Sequence, residues 1–150
     1  MDNPPLKEIH HLKFAVSDLD RSERFYAQVF GAKRITAADH KHADGSLYAY
    51  ILKVPGLGPM LELRLDPEEA QKHRGFDPLT IAVEDRAALE AWSKYLDALG
   101  IEHSPVITAI QAWLIVFNDP DGLRLRLYTL ATHGPELKPD EASPWLEYTN

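Results

Sequence analysis

Residues 11–16 read HLKFAV and residues 78–83 read PLTIAV, two runs 67 positions apart, each apolar at its second, fourth and sixth places: Leu12, Phe14 and Val16, then Leu79, Ile81 and Val83. Side chains alternate between the faces of a strand, so each run is a strand with one apolar face. The same offset joins Asp18 to Asp85, Phe25 to Trp92 and Val29 to Leu96. The chain is therefore an internal repeat, and each half is one supersecondary unit.

Working outward, a helix is predicted after each strand. In the first half Asp20 and Glu23 suit a capping box, Ser22, Phe25, Tyr26 and Val29 share one face, and Gly31 is the stop. In the second half Asp85 is the predicted N-cap, Leu89, Trp92, Leu96 and Leu99 form the apolar stripe, and Gly100 ends it. Further strands are expected over about 33–38, 46–54 and 59–65, and over about 101–109, 111–117 and 123–130. Turn signals at 44–45 (DG), 55–58 (PGLG) and 119–122 (DPDG) separate them. Each half thus reads βαβββ, with module 1 at about 8–66, module 2 at about 76–131, and a polar link at 66–75 that could hold a helical turn. The tail, 133–150, carries Pro135, Pro139 and Pro144 and is expected to wrap the surface as coil, with Trp145 and Tyr148 as candidates to cover a pocket or a subunit contact.

Composition narrows the chemistry. A chain of 150 residues with 45% hydrophobic and 26% charged residues is globular rather than disordered. At this length roughly 70% of the unfolded surface can be buried. With 16 Lys+Arg against 23 Asp+Glu the net charge is −7, which repels phosphate backbones and anionic lipid, so neither nucleic acid nor membrane is an expected partner. The absence of cysteine removes disulfides, thiolate catalysis and Cys-ligated metals, leaving His, Asp and Glu as ligands. No apolar stretch is long enough to span a bilayer, and the residues 1–11, MDNPPLKEIHH, have no signal-peptide pattern, so a cytoplasmic location is expected.

The paired βαβββ pattern, the run IHHLKFAVSDLDRSERFYAQVFGAKRI at 9–35 and the run FNDPDGLRLRLY at 117–128 resemble the vicinal oxygen chelate superfamily. That group contains glyoxalase I, extradiol dioxygenases, fosfomycin-resistance enzymes and bleomycin-resistance proteins. The resemblance implies an α+β fold of two βαβββ modules, with curved mixed sheets enclosing a cavity and helices on the convex face. In metal-using relatives the ligands stand at the start of the first strand and on the last strand of each half, here His11, Glu62, Pro78 and Arg126. Proline has no donor, and a guanidinium cannot ligate a divalent ion. No cofactor is therefore expected; a divalent metal on His11 and Glu62 with non-standard further ligands is the alternative. His40 and His42 read as polar-loop residues, His10 as facing away from His11, and His73, His103 and His133 as solvated.

Alternation sets the remaining expectations. His11 and Lys13 share one face of the first strand, Met60, Glu62 and Arg64 one face of another, and Arg124, Arg126 and Tyr128 one face of the last. His11 and Glu62 are the candidate catalytic pair, since groups of different pKa suit acid and base roles. Lys13, Arg64, Arg124, Arg126 and Tyr128 are candidate contacts to an anionic or oxygen-rich small molecule, unless tail acids such as Glu136, Asp140 and Glu141 fold over the cations. The expected function is binding or transformation of such a molecule in a metal-independent cavity, with a glyoxalase-like lyase or dioxygenase and a non-catalytic sequestering protein both open. The resemblance, and sheet edges that need cover, imply a homodimer.

Overall fold

The structure is a computed structural model and describes residues 1–147. Tyr148 lies outside the described residues. The chain divides into two compact units, Met1–Lys72 and a second from His73 onward.

In the first unit β1 (His11–Val16) leads into α1 (Leu19–Phe30), followed by β2 (Lys33–Arg34), β3 (His40–Lys41), β4 (Leu47–Lys53), β5 (Met60–Leu65) and α2 (Pro67–Lys72). The mixed sheet has the order β1-β5-β4-β2, with β3 also on β4. β1 runs parallel to β5 in the register His11↔Met60, Lys13↔Glu62, Ala15↔Arg64, which puts His11, Lys13, Glu62 and Arg64 on one face as alternation predicts. The opposite face carries Phe14, Val16, Leu61 and Leu63, all buried, and α1 packs on β4 and β5. The helix starts one turn-fraction earlier than expected: Asp18, not Asp20, is the N-cap and accepts from the Arg21 N–H at 2.9 Å. Asp20 instead accepts a 2.8 Å bond from the Tyr50 hydroxyl, which ties the helix to β4. Gly31 closes the helix in the left-handed region (φ 67°), a conformation that glycine adopts without steric cost.

The strand expected at 33–38 is only two residues long, because the chain turns through a 3₁₀ segment at Thr36–Ala38. It then re-enters the sheet as β3, which was not anticipated. The Asp44-Gly45 turn makes the hairpin: His42 N donates to Ser46 O at 2.9 Å and Gly45 N to His42 O at 3.0 Å.

In the second unit β6 (Leu79–Val83), α3 (Arg86–Ala98), β7 (Ile107–Thr108), β8 (Trp113–Asn118) and β9 (Arg124–Thr129) form a mixed sheet of order β6-β9-β8-β7. Asp85 caps α3 as expected, accepting from Ala88 N at 2.9 Å. The strand read at 101–109 shrinks to two residues. Pro105 has no N–H for a ladder, and Ser104 takes over locally, its Oγ accepting from Val116 N at 2.9 Å. The 119–122 turn is held by Asp119 Oδ1, which accepts from Asp121 N and Leu123 N, both at 2.9 Å. Gly122 sits at φ +84°, and an added Cβ would stand 2.9 Å from Arg74 Cγ. The register Leu114↔Tyr128, Ile115↔Leu127, Val116↔Arg126, Phe117↔Leu125 puts Ile115 and Phe117 with the buried leucines on the α3 side. Both units are thus α on an open mixed sheet, the α+β class expected.

Candidate functional site

In the first unit the polar face of the sheet floors a cavity of about 410 Å³, lined by His10, His11, Lys13, His40, Glu62 and Arg64 among others. Its centre is Glu62, held on β5 between β1 and β4 with its side chain 3% exposed. A carboxylate this deep is stable only with partners. Arg64 supplies one, its NH1 donating to Oε2 at 3.3 Å. The other oxygen, Oε1, faces two imidazoles: His11 Nε2 at 4.0 Å and His40 Nε2 at 3.6 Å.

The two histidines are aimed by their other nitrogens. His40 Nδ1 is 2.9 Å from Ala38 O, and because a carbonyl only accepts, that nitrogen carries the proton and Nε2 is left toward Glu62. His11 Nδ1 lies 2.9 Å from His10 Nδ1, so one ring donates to the other. His10 therefore lines the same cavity, contrary to the expectation from alternation; it precedes β1, where the strand period does not yet apply. His40 is likewise no solvated loop residue. β3 pairs it with Ala49 of β4, and the ring packs edge-on against Tyr48. The segment before it is clamped by Arg34, whose Nε and NH2 donate to the two oxygens of Asp39 at 2.9 and 2.7 Å. That bond holds the Asp39 carboxyl below its ordinary range. The signal that would have placed His40 was the DG hairpin turn, which returns residues just before 44 onto the strand just after 45.

The second unit treats its cations differently. Arg126 Nε pairs with Asp77, whose side chain is 5% exposed. Arg124 is 7% exposed and donates from NH1 to Trp145 O at 3.1 Å, with its guanidinium 5.8 Å from the Trp145 ring centroid. Each of the two arginines expected as anion contacts thus has a partner within the protein, a buried carboxylate for Arg126 and the tail for Arg124. Asp77 lies 49 residues from its partner and nothing in the sequence marked it. Trp145 and Leu146 pack on the cluster of Ile107, Leu114 and Val116, beside Tyr128, so the tail lies against this face as coil with one 3₁₀ turn. Arg126 and Tyr128 line a second cavity, of about 340 Å³, together with Asp140 and Glu141.

Of the four positions that hold metal in metal-using relatives, His11 and Glu62 carry donors and Pro78 and Arg126 do not. His40 adds a third donor. Ligand bonds of about 2.0–2.1 Å at a tetrahedral angle place donor atoms about 3.4 Å apart; the separations here are 3.6 and 4.0 Å. Among the described residues no group of three His, Asp or Glu stands so as to hold an ion. Arg64 on the far oxygen and Lys13 in the same cavity also place positive charge where a divalent ion would add more. As arranged, the residues fit a partnered buried carboxylate better than a metal centre.

Two units of helix on mixed sheet, the first with a polar, histidine-lined cavity on one sheet face, make an α+β protein of glyoxalase-like fold. The sequence model of the Glyoxalase/Bleomycin resistance protein/Dioxygenase superfamily matches residues 8–127, and the chain belongs to that superfamily. It is 28% identical over 134 residues to the metallothiol transferase FosB of Bacillus licheniformis, covering 86% of this chain and 79% of that one. Its fold is similar to that of FosX, a fosfomycin resistance protein of Listeria monocytogenes, in a mutant form complexed with Mn(II) and dihydroxypropylphosphonic acid (TM-score 0.66, 18% identity, 83% of this chain and 93% of that). It is also similar to TnmS3, an antibiotic binding protein of Streptomyces (TM-score 0.65, 17% identity, 85% and 98%). Among the described residues no helix is long and apolar enough to cross a membrane.

Proposed function

We propose that the cavity of the first unit binds a small anionic or oxygen-rich molecule and moves a proton on it without a resident metal. The observation that carries this reading is Glu62, a carboxylate 3% exposed in a cavity that also presents Lys13 and Arg64. The two cations attract the anionic group of the ligand through charge-assisted hydrogen bonds. Arg64 anchors one oxygen of Glu62 and so leaves the other to exchange a proton with the ligand. His11 and His40 face that oxygen, and an imidazole and a carboxylate differ enough in ordinary pKa to divide donor and acceptor roles. The proposed protein is a cytoplasmic homodimer.

A second reading has its own support. His40 holds its Nδ1 proton on a backbone carbonyl and turns Nε2 inward, which is how metal-ligating histidines are oriented. FosB is named a metallothiol transferase and FosX was complexed with Mn(II). A divalent ion on His11, His40 and Glu62 would act as a Lewis acid on the ligand's oxygens.

Calorimetric titration with a short hydroxyalkylphosphonic acid and a short hydroxycarboxylic acid separates the two. The proposed reading expects binding in the presence of chelator, lost in Arg64→Leu. Binding that appears only on adding Mn(II) or Zn(II) would establish the metal reading in its place.

A further inference from the structure

Among the described residues the tail is fastened to the second sheet at its root, its middle and its far end. At the root His133 meets the turn between β7 and β8: its backbone N–H donates to Gln111 O at 2.8 Å, and its ring Nε2 stands 2.9 Å from Ala109 O. In the middle Asp140 N donates to Thr108 O at 2.8 Å. At the far end Arg124 donates to Trp145 O, and Trp145 and Leu146 lie on Ile107, Leu114 and Val116. The residues that make this strap lie beyond 127, where the superfamily match ends.

The root has a property that the other two fastenings lack. The second ring nitrogen of His133, Nδ1, stands 2.8 Å from Gly134 O. A carbonyl oxygen only accepts and a neutral imidazole carries one N–H, so the two ring bonds exist together only in the imidazolium. Loss of the proton sets a nitrogen lone pair against a carbonyl oxygen, and one of the two bonds is lost. The surroundings favour the charged form. Glu136 folds its carboxylate back over Gly134, beside the ring, and the Trp113 ring lies 5.1 Å away, centroid to centroid, within reach of a cation–π attraction. The opposing charge is Arg86 of α3, on Trp113 with its guanidinium 5.9 Å from the ring centroid and 3.9 Å from Glu90. The turn itself, AIQA at 109–112, has no titratable group, and Lys138, Asp140 and Glu141 on the tail are exposed. The backbone hydrogen bonds, with Glu136 adding to them, raise the His133 pKa.

We infer that the tail is a proton-operated strap: protonated His133 staples its root to the 109–112 turn and so holds Trp145 and Leu146 against the second sheet, and loss of that proton lets the segment lift. The sign follows from linkage. The strap is fully closed below the unfolded histidine value of about 6.5 and loosens as pH rises through the raised folded value. Lifting it exposes Ile107, Leu114 and Val116 and removes the carbonyl that Arg124 holds. The inference does not depend on the proton-transfer reading of the first cavity.

Fluorine NMR of the full-length protein made with 5-fluorotryptophan tests it, with signals for Trp92, Trp113 and Trp145 followed from pH 5.5 to 8.5 beside a proton–nitrogen titration of the His133 ring. Trp113 touches His133 and reports its protonation, whereas Trp145 responds only if the strap moves as a unit. The His133 midpoint should lie above 6.5. The Trp145 signal should move with that same midpoint and become more accessible to a soluble paramagnetic chelate. The open fraction should rise by up to about tenfold for each unit between that midpoint and 6.5. His133→Gln, checked for unchanged fold by circular dichroism, should leave Trp145 insensitive to pH. Trp145 equally protected at both ends of the range while His133 titrates, a midpoint at or below 6.5, or a Trp145 response that persists in His133→Gln would each overturn the inference.

Discussion

Replacing Arg34 by methionine tests how the first cavity is held together. The substitution keeps most of the apolar stem and removes the guanidinium. What is lost is a two-pronged bond to Asp39, whose side chain is 8% exposed, a 3.3 Å contact to Glu23, and stacking on Tyr50 with the guanidinium carbon 3.5 Å from the ring centroid. Stranding one partner of a buried pair costs about 3–5 kcal/mol, a figure to be reduced here because Arg34 itself is 20% exposed. The cation–π contact contributes about 0.5–2 kcal/mol and the half-exposed Glu23 contact less than about 1. The expected loss at pH 7 is about 3 kcal/mol by urea denaturation. The sign with pH follows from Asp39. In the native protein Arg34 holds its carboxyl below the ordinary range, so that contribution is present above the unfolded value of about 3.9 and is lost as pH falls through the lowered folded value. In the variant, burial without a partner raises the same carboxyl, and protonation relieves the penalty as pH falls. The gap between the two proteins should therefore narrow from pH 7 to about pH 4. A loss below about 1 kcal/mol at pH 7, or a gap that widens toward pH 4, would show that the Arg34–Asp39 pair does not hold this segment.

Other consequences follow from single sites. His133 has a carbonyl at each ring nitrogen, Gly134 O at 2.8 Å and Ala109 O at 2.9 Å, and these hydrogen bonds raise its pKa, with the Glu136 carboxylate adding to them. A raised histidine stabilises its contacts fully below the unfolded value of about 6.5 and releases them as pH rises through the folded value. The protection factor of the Asp140 amide, its exchange rate corrected for the intrinsic pH dependence, should accordingly be higher at pH 5.5 than at pH 8.5, and His133→Gln should remove that difference. Phe117→Ala, at a side chain with no exposure between β8 and α3, should cost about 3–5 kcal/mol by the same urea assay. Light scattering across micromolar concentrations should find a homodimer, and a persistent monomer would count against it.

The fold was legible because its signals are local. Leu12, Phe14 and Val16 alternate, Leu79, Ile81 and Val83 repeat the pattern, and a glycine follows each helix, Gly31 directly after α1 and Gly100 two residues after α3. The same alternation put His11, Lys13, Glu62 and Arg64 on one face, as the register of β1 with β5 shows. Illegible parts were those decided by distant partners. Asp77 met Arg126 across 49 residues, and Trp145 reached Arg124 from a proline-bearing tail whose composition alone reads as coil. His40 was lost for a different reason: a two-residue strand carries no periodicity, and only the hairpin turn after it fixes where it lies. His10 shows the converse error, a strand rule applied one residue before the strand begins.

We propose that Glu62, with Lys13 and Arg64, forms an anion site that works without a metal. Long-range proton–nitrogen NMR of the histidine rings tests it most directly, because His11 and His40 face Glu62 while His133 lies in the other unit. Adding a hydroxyalkylphosphonic acid to chelator-treated protein should shift the ring signals of His11 and His40 and leave those of His133 in place. Ring signals that stay fixed until Zn(II) is supplied, and then show metal-bound nitrogens at His11 and His40, would contradict the account.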